Sequence, residues 1–472
     1  MLRDSAIYIL SRVVPSGIGF VTGMALTWLL TPEAYGTYGL GLTIVALGTG
    51  VFFDWHGLSF MRFYQANAET PRFMPTVALI FVLLCMASAV LVAAVLATGL
   101  LPEKYFLLVA ISLPGCWAYA WFELAARVQV ARFRPIRYFW MNLARNLLIL
   151  LLGVAAAWAW HSAYPVLASS FLSMLAAALL FRVPGLRLNP HSFDRDMARR
   201  LVAFGWALAV VRALSSGSYA LDRVLLEAWV STDAVGFYTV AYLLVQTTIL
   251  TIGAGIGSAT YSLAVRAVES GDTAALNHQL SRNSSLLLAL LLPASIGAAM
   301  VAPALARLFV DPAYVAPVAS LTAWMALGAF FFGFRANYID HAFQLGHSTR
   351  GLIAVMISTA TVNGVLDLLL VPRYGAVGAA IAGLVAGAVG LFHGWWAARA
   401  VMPMPIAWRD AAKIAAASGA MAIFLWPFYH SEGIGLLIVE IGGGVLIYGA
   451  ILLASDAMGL RNLVRARLAR LR

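Results

Sequence analysis

Stretches of about twenty apolar residues recur from one end of this chain to the other, separated by short polar turns. That alternation allows very few architectures. In a bilayer core no water is present to satisfy backbone N–H and C=O groups, so a spanning segment must bond internally as a helix of about 20 residues. By that rule the windows centre on 5–30, 37–58, 74–98, 104–124, 138–160, 163–181, 202–229, 236–258, 285–309, 317–342, 351–371, 376–399, 411–429 and 434–455. The expected fold is therefore an all-α polytopic membrane protein with about 14 transmembrane helices. Composition agrees: 62% of the 472 residues are hydrophobic and 11% charged, with a mean hydropathy of +0.87. A soluble chain is about half apolar and a quarter charged. The opening "MLRDSAIYILSRVVPSGIGFVTGMALTWLL" is too long for a signal-peptide core and reads as the first spanning helix.

The net charge of +11 does not indicate nucleic acid, because no soluble basic domain exists to hold it. Its placement sets topology instead. About 23 of the 31 basic residues fall on the N-terminal side of the membrane, and about three (Lys104, Arg307, Arg373) opposite. Both termini are thus expected in the cytoplasm of a bacterial cell, with the protein multi-pass in the inner membrane. The tail "RNLVRARLARLR" is a basic amphipathic segment suited to anionic lipids.

Loops and motifs narrow the chemistry. No outer loop exceeds about a dozen residues, too few to hold catalytic carboxylates or a nucleotide sugar. No P-loop, H-E-x-x-H or G-x-S-x-G motif occurs, so the chain does not read as an enzyme. Cys85 and Cys116 lie in apolar segments, and the eight histidines have no metal-ligand spacing, so no metal or other cofactor is expected.

The chain repeats itself at an offset of 200. "TPEAYGTY" at 31–38 answers "STDAVGFY" at 231–238, and the ungapped comparison also pairs Ser16-Gly17 with Ser216-Gly217 and Arg12 with Arg212. The repeats begin on the same membrane face, which gives two pseudo-symmetric six-helix lobes related by an axis along the membrane normal, around a central cavity. The expected division is an N-terminal lobe 1–181, a cytoplasmic linker 182–201, a C-terminal lobe 202–400, an extra helix pair 401–455 and the tail 456–472.

The segments "LLTPEAYGTYGL", "LDRVLL" followed by "DAVGFYTVAY", "GDTAALNHQLSRNSSL", "VDPAYVAPVASL" and "LDLLLVPRYGAVGAAIAG" occur in this order. Taken together they resemble the polysaccharide flippases (Wzx-type O-antigen and exopolysaccharide translocases) of the superfamily that also holds the MATE exporters and the lipid II flippase. The resemblance implies a cargo of oligosaccharide on undecaprenyl pyrophosphate, moved from the cytoplasmic to the periplasmic leaflet by alternating access. A polysaccharide polymerase is a further expected partner, and the extra helix pair is expected either to form a lipid-tail groove or to be a plain flank.

A charge at mid-membrane costs about 2.5 to 3.5 kcal/mol on insertion scales, so each one needs an account. Arg12 and Arg212 are expected to contact the cargo's pyrophosphate or an anionic sugar, because guanidinium binds phosphate bidentately and keeps its charge when buried, against the simpler reading that each pairs with a membrane carboxylate and fixes packing. Arg335 and Arg145 are further cargo candidates. Arg335 heads a polar group with Asn337, Tyr338, Asp340 and His341, and snorkelling to the cytoplasmic surface is the rival role for Arg145. Asp222 and Arg223 in "SYALDRVLLEAWV" are expected in a gating ion-pair network, Asp222 toward Arg212 or the cavity and Arg223 toward Glu227 four residues on. Asp54, Glu123, Asp340 and Asp367 are candidates for H⁺ or Na⁺ coupling, against the simpler reading that each pairs with an Arg. Trp55, Trp117, Trp121, Trp158, Trp160 and Trp426 are expected near span ends as interfacial anchors, with sugar stacking a second role for Trp55. Two rival functions remain at this level: a MATE-like cation exporter, whose cargo paired membrane arginines would repel, and a non-transporting scaffold, which would not need them.

Overall fold

A computed structural model of the protein describes residues 2–99, 101–181, 183, 189–269, 271–346, 348–429 and 431–461, the backbone alone for 2–13, 190, 207–208, 211–212, 215 and 219. Among the described residues it is helical throughout, without strands. In chain order the helices are α1 (Leu2–Leu29), α2 (Pro32–Phe52), α3 (Asp54–Asn67), α4 (Phe73–Ala97), α5 (Phe106–Ala131), α6 (Pro135–Trp160), α7 (Ala163–Leu180) and α8 (Arg195–Trp229). They continue as α9 (Thr232–Val245), α10 (Thr251–Glu269), α11 (Thr273–Phe309), α12 (Pro312–Phe334), α13 (Asp340–Leu345), α14 (Thr349–Ala398), α15 (Trp408–Leu425) and α16 (Ile434–Ala454). Single π-helical turns, Gln246–Leu250 and Arg335–Ile339, join α9 to α10 and α12 to α13.

Local chemistry sets many of these ends. Thr31 accepts from the Ala34 amide and is followed by Pro32, whose fixed φ and missing N–H suit a first helical turn. Asp311 and Pro312 repeat the device at α12, and Asp194 and Asp272 cap α8 and α11. Between the expected windows 351–371 and 376–399, α14 bends at Gly375, where φ is +56° and ψ is −136°, a conformation open chiefly to glycine.

Eleven described helical stretches are long and apolar enough to cross a membrane, so this is an integral membrane protein. The windows expected for the first and seventh spans lie on α1 and α8, and α14 spans two expected windows across its bend. Outward apolar side chains such as Val90 and Leu446 are 69% and 73% exposed, as on helices whose solvent is lipid.

The chain divides into two compact units, Met1–Gly236 and Phe237–Arg472. In the first, α2 is central, packed on α5, α7 and α8, while α6 joins α1 to α7. Its core is aromatic: Phe53, Phe60, Tyr64, Phe73 and Phe81 close on Leu124, Val128 and Leu201. Trp117 and Trp121 belong to this core and not to a membrane interface. The Trp117 indole donates to Ser88 Oγ at 3.0 Å, and Trp121 meets Phe81 edge to face. The reason is length, since α5 runs seven residues past the expected end of its span and places both indoles in mid-helix. Trp158, Trp160 and Trp426, by contrast, lie exposed at helix ends. In the second unit α11 packs on α10, α12, α15 and α16, and α12 on α14. Ile414, Ala417 and Leu452 meet Ala289, and Met421, Leu425 and Leu437 meet Val301 and Ala304, which docks the α15–α16 pair on α11.

The repeated motif meets its own copy within the first unit. A Cβ on Gly36 would stand 1.9 Å from the Thr232 carbonyl oxygen, and one on Gly236 would stand 2.3 Å from that of Pro32. Thr232 and Pro32 are themselves equivalent at the offset of 200. The contact is therefore reciprocal, as a two-fold relation between the motif copies requires.

Candidate functional site

Ionisable residues within membrane helices mark functional sites by default, so the site is built from them. In the first unit the helix break at Phe53 ends α2 and starts α3 at Asp54, turning this carboxylate toward α5. Arg127 Nη2 donates to Asp54 Oδ1 at 3.0 Å, and Nη1 to the Asp54 carbonyl at 3.1 Å. The guanidinium lies over Gly57, where a Cβ would come within 1.9 Å of Nη1. One turn back on α5, Glu123 Oε1 faces Arg145 Nη1 of α6 at 3.5 Å, and that guanidinium covers the Phe122 ring at 4.6 Å. Arg145, Glu123, Arg127 and Asp54 thus alternate in sign with no net charge. Asp54, Glu123 and Arg127 border a small cavity with Thr49 and His56, and the His56 ring is held by the Val77 carbonyl at 3.1 Å. Arg145 does not snorkel to the surface: its side chain is 18% exposed, retained by Glu123.

Further along this unit Asp222 and Arg223 are buried in α8, at 9% and 1% exposure. Glu227 does not bond to Arg223. Its Oε1 accepts from the Tyr105 hydroxyl at 2.7 Å and from Lys104 Nζ at 3.1 Å, tying α8 to the start of α5. A neighbouring element supplied partners that α8's own sequence could not reveal. The side chains of Arg12 and Arg212 lie outside the described residues, as does the tail beyond Arg461.

In the second unit the π-helical turn decides the geometry. In an α-helix residues five apart point about 140° away from each other, whereas i→i+5 bonding stacks them. Arg335 and Asp340 flank such a turn and sit 3.7 Å apart, Nε to Oδ2, both buried. Arg335 Nη1 also donates to Thr359 Oγ1 at 2.9 Å, in a recess left by Gly390, where a Cβ would fall 2.7 Å from Nη1. The expected polar group does not form one cluster. Asn337 presses on Gly257 of α10, Tyr338 donates to the Pro405 carbonyl at 2.5 Å, and the His341 ring meets that of Tyr261 at a tilt, 4.8 Å between centroids. A turn of helix sends consecutive side chains in different directions, which sequence proximity conceals. Asp367, fully buried on α14, accepts from Asn363 Nδ2 at 2.6 Å.

Arg127 is the main residue that sequence reading missed. The expected span ends at 124, whereas α5 continues to Ala131 and carries Arg127 within it. The spacing Glu123 to Arg127, one helical turn, was the available signal. Lys104, Tyr105, Thr359 and Asn363 carried no comparable mark. Among the described residues no three His, Cys, Asp or Glu side chains converge as a metal site.

Solved structures share this multi-pass helical fold. The lipid II flippase MurJ, in an inward closed conformation, matches with a TM-score of 0.78 at 15% identity, covering 98% of this chain and 100% of that one. An inward-facing multidrug resistance MATE family transporter of the MOP superfamily matches at 0.63 and 14% identity, over 84% of this chain and 98% of its own. A MOP superfamily transporter from Pyrococcus furiosus matches at 0.59 and 14% identity, over 85% and 95%. No curated protein sequence matches. The chain belongs to the polysaccharide biosynthesis protein family, whose profile matches residues 1–261, and the MatE profile matches 207–369.

Proposed function

We propose that this protein is a flippase that moves an oligosaccharide linked to undecaprenyl pyrophosphate from the cytoplasmic to the periplasmic leaflet of a bacterial inner membrane, by alternating access, for a surface or exopolysaccharide. The observation that carries the proposal is the extent of the fold likeness. The lipid II flippase covers 98% of this chain, against 84% for the MATE transporter, a difference of about the size of α15, α16 and their flanks. A helix pair beyond the transporter core suits a cargo with a long hydrocarbon tail. Membership of the polysaccharide biosynthesis family supports the oligosaccharide half of the cargo.

In this reading Arg12 and Arg212, at equivalent places in the repeat, hold the phosphates, and the basic tail rests on anionic lipid with both termini in the cytoplasm. Asp54, Glu123 and Asp340 each face a guanidinium. A proton gained by one of these carboxylates would free its arginine, which gives H⁺ coupling a physical route; Asp367 is a further candidate for H⁺ or Na⁺ coupling. A polymerase that consumes the flipped lipid is the expected partner.

The test is mass spectrometry of polyprenyl-linked lipids from a deletion strain. Accumulation of one complete, unpolymerised undecaprenyl-pyrophosphate oligosaccharide, relieved by the wild type but not by Arg12→Ala at equal protein level, is the expected result. Absence of any such lipid, with surface polysaccharide unchanged, would overturn the proposal.

A further inference from the structure

A second binding feature lies in the first unit, on a face that the charged network does not use. Between the α2–α3 break and α8 is an open cavity of ≈ 360 Å³, lined by Val51, Trp55, Val202, Trp206 and Val210. Its wall is built by one close approach. A Cβ on Gly205 would lie 2.3 Å from the Trp55 ring and 2.5 Å from Ser59 Oγ, so glycine lets the indole seat on α8. Ser59 Oγ donates to the Leu201 carbonyl at 3.0 Å and fixes the register. Trp55 opposite Gly205 and Ser59 opposite Leu201 show that α3 and α8 run antiparallel here.

Helical periodicity extends both walls in the same direction. Arg62 lies seven residues beyond Trp55, two turns along the same face of α3. Arg199 lies three residues before Val202 and seven before Trp206, on the cavity face of α8. Because the helices are antiparallel, both arginines stand past the same end of the cavity. Both are exposed, and neither has an ion-pair partner among the described residues. An apolar recess ending at two uncommitted guanidiniums matches an amphipathic anion, with hydrocarbon in the recess and phosphate at the arginines. Two guanidiniums at one level match a pyrophosphate better than a phosphodiester, which carries a single negative charge.

We infer that this cavity is the loading site for the carrier end of the cargo: the first isoprene units of a polyprenyl pyrophosphate rest against Val51, Trp55, Val202 and Trp206, and its phosphates against Arg62 and Arg199. The inference rests on the flippase reading and adds a place and a ligand to it.

The test uses the purified full-length protein. A diazirine-bearing farnesyl pyrophosphate is photolysed with the unaltered protein, and binding of undecaprenyl pyrophosphate, undecaprenyl phosphate and phosphatidylglycerol is measured in detergent. The label is expected on peptides within 51–62 or 199–213. Val202→Trp, which fills the recess, is expected to weaken undecaprenyl pyrophosphate at least tenfold, and Arg62→Gln with Arg199→Gln to abolish its advantage over the monophosphate. Labelling elsewhere, or phosphatidylglycerol competing as well as undecaprenyl pyrophosphate, would overturn the site, the second by making it a place for bulk lipid. Should Val202→Trp not fold, the label on the unaltered protein decides alone. Cargo accumulation in the deletion strain is independent of these results, so the site can fail while the flippase reading stands.

Discussion

Gly36 and Gly236, two hundred residues apart, are each pressed against a backbone carbonyl of the motif copy that holds the other. The glycine of "EAYG" touches Thr232 and the glycine of "DAVG" touches Pro32, so one contact is made twice by a duplicated sequence. No side chain can retreat from a backbone oxygen 1.9 or 2.3 Å away, and any Cβ must move a helix.

Gly36→Ala and Gly236→Ala are therefore each expected to destabilise by about 1 to 3 kcal/mol, the usual cost of overpacking. Because they strike one contact, the double variant should lose less than the sum. Thermal unfolding of the detergent-purified proteins measures this, and fully additive losses would mean that the two glycines act separately.

Removing one partner of a buried ion pair typically costs about 3 to 5 kcal/mol, whereas replacing both with apolar residues is often neutral. Asp340→Asn should thus lower the unfolding temperature markedly, while Arg335→Met with Asp340→Leu should recover most of it. A neutral Asp340→Asn would show that the π-helical turn does not depend on this pair.

At Asp54 and Arg127 the side chains are 22% and 19% exposed, so water screens the pair and the expected cost of Arg127→Gln is lower, about 1 to 2 kcal/mol. Gly57→Ala should act in the same way, since its Cβ would displace the guanidinium. In a double variant with Arg127→Gln it should add little. A Gly57→Ala protein with wild-type stability would contradict the placement of Arg127.

The two partners of Glu227 are unequal. Lys104 is 64% exposed on its side chain and Glu227 only 8%, and the 2.7 Å bond from Tyr105 is the shorter of the two. Tyr105→Phe is expected to cost about 1.5 to 3 kcal/mol, as for a hydrogen bond to a charged group. Lys104→Met should leave the unfolding temperature unchanged. The reverse order in paired melting curves would assign Glu227 to the lysine.

Membrane class, helical architecture and family were legible because each rests on features spread along the chain: apolar length, arginine placement and a motif repeated in order. The candidate site was legible only as residue types. Asp54, Glu123, Asp340, Arg145 and Arg335 stood out as charges in apolar helices, but the pairing of Glu123 with Arg145 and of Asp54 with Arg127 did not, because pairing depends on which helix faces which. Arg127 was lost to a misplaced helix end, and Lys104 lay 123 residues from Glu227 on the chain.

What the sequence determined by itself was the free-energy cost it had to manage: a chain this apolar must become membrane helices, and every charge within them must find an opposite charge, a hydrogen bond or water. What only the tertiary structure decided was how each cost is met. Arg335 reaches Asp340 through one π-helical turn, Arg127 reaches Asp54 across a helix break above Gly57, and Glu227 turns to Tyr105 and Lys104 instead of Arg223. These outcomes depend on ångström-scale approach between distant segments, which local periodicity does not encode.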